Sequence, residues 1–190
     1  MALKLDFEED LGLDMELRKE VPKDLNHHLG VTDIRIAIER GMERMPGLNL
    51  RYIYAYWELG QFAWPYPIIP DAIFSVRNAY VAQATIEFDR NTESLGVFAK
   101  KLLQYRTLMR LHPISTVILV VEHRANVERI GTGLAEVESN IPLLTLALED
   151  LKQHGLLALP HPRRHLFGNR TIAEQMEIDV ARHQEPIETE

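Results

Sequence analysis

A chain of 190 residues, 46% hydrophobic and 26% charged, has the balance of one globular domain with a sizeable core. It contains no Cys, which excludes disulfides and thiolate metal sites. No run approaches the roughly 18 apolar residues of a membrane span, and Met1–Asp10, with four acids and one Lys, is unlike a signal peptide, so the expected location is cytoplasmic. The net charge of −7 sits at the ends: residues 1–24 sum to −4, residues 171–190 to −5, and residues 25–170 to +2. That distribution neither requires nor excludes DNA as a partner.

Residues 1–24 read as an acidic N-terminal arm holding a short amphipathic segment (Leu11, Met15, Leu17) broken by Pro22. Val31–Met45 then places Ile34, Ala37, Ile38, Gly41, Met42 and Met45 on one stripe, which predicts a helix capped by Asp33 or Thr32 and stopped by Pro46-Gly47. Leu50–Glu58 predicts a strand covered on both faces. Ile68–Val76 and Val81–Asp89 predict two strands whose short connection allows only an antiparallel hairpin. Ser94–Leu111 predicts a helix with Leu95, Phe98, Leu102, Tyr105 and Met109 on one face, ended by Pro113. Ser115–Glu122, a nearly unbroken β-branched run, predicts a central strand. A helix over Ala125–Ser139 and an apolar run over Ile141–Leu148 follow. The expected fold is a mixed α/β sheet flanked by helices, in the order α-β-β-β-α-β-α-β, over residues 25–150. Residues 151–190 read as an extension with a mobile acidic tail.

The residues that suggest chemistry lie on the hairpin. Side chains alternate along a strand, so Thr85, Glu87 and Asp89 share one face and Ala84, Ile86 and Phe88 the other. Asp71 falls on the face of Ile73 and Ser75, and Pro70 before it suits a strand start. If the connection centres on Ala79, Asp71 opposes Glu87; a two-residue turn would set Asp71 against Ile86 instead. We expect the first register. Clustered carboxylates repel one another unless a cation joins them, and hard oxygen donors suit Mg²⁺ or Mn²⁺. The alternative left open by composition is that Glu87 and Asp89 pair with Arg90, Arg51 or Lys101 at a solvated strand end.

The segments PDAIFSV, ATIEFDRNTES and KKLLQY, with HHLGVTDIRIAI and YIYAYWELG upstream and TVILVVEH downstream, resemble the PD-(D/E)xK nuclease-like core of the replication–relaxation family of plasmid and mobile-element proteins. The resemblance covers roughly residues 25–150 and implies a restriction-endonuclease-like fold acting on DNA with a divalent cation. It assigns Asp71 to the acid of the PD half-motif and Glu87 to the acid of the following strand. Asp89 stands where nucleases of this superfamily carry Lys, and Lys101 matches a Lys of the family pattern, with Tyr105 one turn later. Glu58 would be a further metal ligand. Family members carry an N-terminal winged helix, for which the 24 residues before the match are too few.

Each remaining candidate has a plainer reading beside it. Lys101 borders the buried stripe and could simply snorkel, and Tyr105 reads as core. His27 and His28 could cap or pair locally. Arg163, Arg164 and Arg170, with His161 and His165, form a basic loop that could touch phosphates or be solvated. Trp57 and Trp64 could stack on bases or pack under the sheet edge. Glu39 reads as solvated. The sequence thus points to metal-dependent phosphodiester chemistry on DNA, or to a catalytically inactive member of the same fold that binds a protein partner in a replication or transfer complex. The oligomeric state is not legible.

Overall fold

The structure is a computed structural model that describes residues 24–61, 66, 68–77, 81–90, 93–112, 114–135, 141–158 and 171–174. The elements are α1 (Leu25–Met42), β1 (Asn49–Ala55), the single turn α2 (Tyr56–Leu59), β2 (Ala72–Arg77), β3 (Val81–Asp89), α3 (Leu95–Leu111), β4 (Ile114–Val121), α4 (Arg124–Ala135), β5 (Leu143–Ala147), α5 (Leu148–His154) and a 3₁₀ turn (Gly155–Leu157). The five strands form one sheet in sequential order β1-β2-β3-β4-β5. The β1/β2 and β2/β3 pairs are antiparallel, and the β3/β4 and β4/β5 pairs are parallel. This is the expected mixed α/β sheet flanked by helices.

Two cores sandwich the sheet. On one face Ala72, Phe74, Val76, Ala84, Ile86 and Phe88 pack beneath α1 and the α5 region. On the other Ile73, Val117, Leu119 and Val121 meet Phe98, Leu102, Tyr105 and Leu108 of α3 and Ile130 and Leu134 of α4. Every residue of β4 is buried, Ser115 and Thr116 included, as its nearly unbroken β-branched run predicts. Packing continues beyond residue 150, since Leu151, Leu156, Ala158, Ile172 and Ala173 belong to the first core. Among the described residues no helix is long and apolar enough to cross a membrane.

Several expected boundaries move. α1 begins at Leu25, six residues before Val31, because Asp24 supplies the cap by accepting from the His27 amide; Asp33 and Thr32 lie inside the helix. β1 stops at Ala55 and is an edge strand, half exposed along its first residues rather than covered on both faces. The Glu58 carboxylate accepts the Ala55 amide at 2.7 Å and so opens α2, which takes Glu58 off the strand. β2 begins at Ala72 rather than Ile68. The helix α5 was not expected; Glu149 and Asp150 in its first turn and Lys152 and His154 in its last suit the helix dipole. The acidic arm before Asp24, the connection 78–80, the basic loop with Arg163, Arg164 and Arg170, and the acidic tail lie outside the described residues.

Glycine sets the closest approaches. A Cβ on Gly30 of α1 would stand 2.0 Å from the Phe88 ring. A Cβ on Gly41 would stand 2.8 Å from the Gly155 Cα, where α1 meets the 3₁₀ turn, and Gly155 holds a φ of +58°. The approach at Gly30 brings the N-terminal half of α1 down onto the end of β3.

Candidate functional site

Pairing of Ala72 with Ile86 and of Arg77 with Val81 centres the β2–β3 connection on residue 79. Extended by one step, that register sets Asp71 opposite Glu87, as expected. Both residues lie at the end of the sheet where β1, β3, β4 and β5 finish, which is where open α/β sheets commonly bind ligands. Asp71 stands one residue before β2, so its side chain rather than a ladder carbonyl meets β3: Oδ2 accepts the Phe88 amide at 2.7 Å. Its Oδ1 lies 2.8 Å from His27 Nε2 in the first turn of α1. An ionised carboxylate only accepts, so this contact places the His27 proton on Nε2. The hydrogen bond to Asp71 raises the His27 pKa above its ordinary value, against the opposing effect of burial.

Glu87 is met from above by α3. Its side chain is 3% exposed, and Lys101 donates to Oε2 at 2.8 Å. Tyr105, fully buried one helical turn later, donates to Oε1. Burial, reinforced by the charge of Asp71, pushes the Glu87 carboxyl up to about 7 despite the opposing effects of Lys101 and Tyr105. Burial also pushes Tyr105 up, and the Glu87 charge adds to it. For Lys101 burial acts downward, but the charges of Glu87 and Glu93 outweigh it and hold the ammonium above its ordinary range. Of Glu87, Lys101 and Tyr105, the group that changes charge near neutrality is therefore Glu87. Lys101 keeps 29% exposure and a second carboxylate, Glu93 Oε1, at 2.8 Å.

Lys101 does more than snorkel, then, and Tyr105 is both core and hydrogen-bond donor. Asp89 is buried on the face of Glu87, with Oδ1 3.4 Å from the Glu93 amide. Arg90 turns away to Asp24 at 2.9 Å and tethers the end of β3 to the cap of α1. Glu58 is occupied elsewhere, by two hydrogen bonds from Arg35 at 3.2 Å and by the Ala55 amide. Among the described residues no three His, Asp or Glu side chains gather closely enough to hold a metal ion by themselves. Trp57 packs against the first core and faces His28, with ring centroids 3.9 Å apart.

Glu93 is a contributor that the sequence did not mark, and His27, expected to cap or pair locally, instead reaches a distant partner. His27 is 44 residues from Asp71, and a pairing at that separation leaves no local trace. Glu93 sits in a connection whose course depends on where α3 begins. The Lys101–Tyr105 spacing of four was a legible signal, since it puts both donors on one helix face.

The mixed α/β sheet thus joins an acidic pair, a lysine and a tyrosine at the end where β1, β3, β4 and β5 finish. Residues 13–117 match the replication-relaxation family, more than half of the chain, and the chain belongs to that family. Membership points to a role in plasmid or mobile-element replication. No curated protein matches the chain.

Proposed function

We propose that this chain is a nuclease-like domain of a plasmid or mobile-element replication protein that acts on DNA through a divalent cation held by Asp71 and Glu87. One observation carries the reading: the hairpin register aligns Asp71 with Glu87 at the carboxyl end of the sheet, with Lys101 hydrogen-bonded to Glu87 from α3. The restriction-endonuclease-like core and the PD-(D/E)xK assignment belong to this proposal. Two carboxylates are a poor cage alone but a normal Mg²⁺ or Mn²⁺ site when water and substrate phosphate complete the shell. Each acid already holds a basic partner, His27 or Lys101, so an entering cation competes with that partner for the carboxylate. When bound, the metal would activate water and offset charge on the phosphodiester. Lys101 would replace the lysine missing at Asp89, delivering its ammonium from the helix instead of the strand. Arg163, Arg164 and Arg170 remain proposed phosphate contacts.

A second reading, a catalytically inactive nuclease fold that binds or assembles, is favoured by a specific observation. All four oxygens of Asp71 and Glu87 already have protein partners. Thermal unfolding with and without Mn²⁺ separates the two readings. A metal site raises the melting temperature, and Asp71→Asn or Glu87→Gln abolishes the rise. Cleavage of supercoiled and linear DNA then tests turnover. No Mn²⁺-dependent shift in the wild-type chain would overturn the metal-dependent reading and favour the binding module.

A further inference from the structure

Lys101 is shared between two carboxylates of different character. Glu87 is buried on β3, whereas Glu93 lies in the connection to α3 with a side chain 30% exposed, and both accept from Nζ at 2.8 Å. The ammonium also sits 5.4 Å from the centre of the Phe98 ring. Of its two acceptors, only Glu87 is aligned with Asp71. A cation arriving at Glu87 Oε2 between Asp71 and Glu87 would compete with Lys101 there, because two cations on one buried carboxylate oxygen repel each other strongly. Lys101 need not move far, since Glu93 already accepts one of its protons at 2.8 Å and its side chain is 30% exposed.

We propose that Lys101 occupies the place of the divalent cation against Glu87, and that Glu93 is the positioning residue that retains the ammonium beside the site when the cation enters. This rests on the proposed metal-dependent reading and deepens it. Glu93 acts through Lys101 and not as a ligand. It lowers the cost of displacing the lysine, and it keeps the cationic group near the position of the substrate phosphate. A charge-assisted hydrogen bond is worth about 1.5 kcal/mol or more, which corresponds to roughly tenfold in affinity.

The test is Mn²⁺ affinity, measured by titration calorimetry on the full chain for wild type, Glu93→Gln, Lys101→Met and the double variant. Glu93→Gln leaves Lys101 with Glu87 alone, so Mn²⁺ binds roughly tenfold more weakly. Lys101→Met removes the competitor, so Mn²⁺ binds more tightly than to wild type. The double variant matches Lys101→Met, because Glu93 has nothing left to act through. Glu93→Asp, which keeps the charge, restores part of the loss. If Glu93→Gln weakens binding equally with and without Lys101, Glu93 acts through its charge alone and the proposal is overturned while the metal site stands. If Mn²⁺ binds none of the four proteins, the metal-dependent reading falls and this proposal with it. Lys101→Arg, which keeps a cation beside Glu87, serves if Lys101→Met does not fold; binding tighter than wild type there would also overturn the proposal.

Discussion

Asp71 and Glu87 oppose each other across one hairpin, yet each is held by a different helix: Asp71 by His27 of α1 and Glu87 by Lys101 and Tyr105 of α3. The two helices lie on opposite faces of the sheet. The acidic pair thus joins both layers at the sheet end, and the charge of each acid is felt by the other's partners. Asp71 raises the Glu87 carboxyl, and Glu87 adds to the upward shift of His27.

The Tyr105 hydroxyl supports a buried carboxylate with no solvent to replace it. Tyr105→Phe removes one donor and leaves Glu87 Oε1 unsatisfied, at a cost of about 1–3 kcal/mol. Urea denaturation at neutral pH measures the loss, and the loss shrinks at pH 5, where Glu87 is protonated.

Stability depends on pH through Glu87. Its carboxyl titrates at about 7 in the folded chain against an ordinary 4.5. Between those values the folded state binds more protons than the unfolded state, so stability falls as pH rises through this window. The fall attributable to Glu87 is about 3 kcal/mol at most. His27 acts in the same direction. Its raised pKa contributes stability that is complete below 6.5 and lost as pH climbs through the folded value. The denaturation midpoint of wild type therefore declines from pH 5 to pH 8, and Glu87→Gln flattens most of that decline. An equally steep decline in Glu87→Gln would show that other groups dominate.

Asp71 has a structural task besides any chemistry, because it accepts the Phe88 amide where β2 has not yet begun. Asp71→Asn keeps an oxygen for that amide and loses the ionic contact with His27. Asp71→Leu loses both and is the more destabilising by about 1–2 kcal/mol. Hydrogen exchange at the Phe88 amide accelerates in Asp71→Leu and much less in Asp71→Asn.

Gly30 sets the distance between α1 and the end of β3. Alanine there gains up to about 1 kcal/mol of helix propensity, but its Cβ meets the Phe88 ring at 2.0 Å. Crowding of this kind costs about 1–3 kcal/mol. Gly30→Ala therefore lowers the melting temperature, and the pairing of His27 with Asp71 weakens with it. An NMR titration of His27 reads the second effect as a pKa that returns toward the ordinary value.

The alternation of helix and strand, the buried β4 run and the amphipathic face of α3 were legible because hydrophobic period and β-branching act locally. The side-chain parity that puts Thr85, Glu87 and Asp89 on one face is equally local. The centring of the hairpin on residue 79 was only one of two registers open to the sequence, and strand pairing selected it. Boundaries set by a single hydrogen bond escaped, as at Asp24 and Glu58, where a carboxylate captures a backbone amide. The electrostatic character of the site belongs to the tertiary structure alone. A carboxylate's charge state depends on what surrounds it, and chain segments from 25 to 105 must meet before Glu87 loses water, gains Lys101 and Tyr105, and faces an Asp71 already bound to His27. The chain therefore encodes which acids are present and on which strand face they lie, while burial and long-range contact decide how they titrate and what holds them.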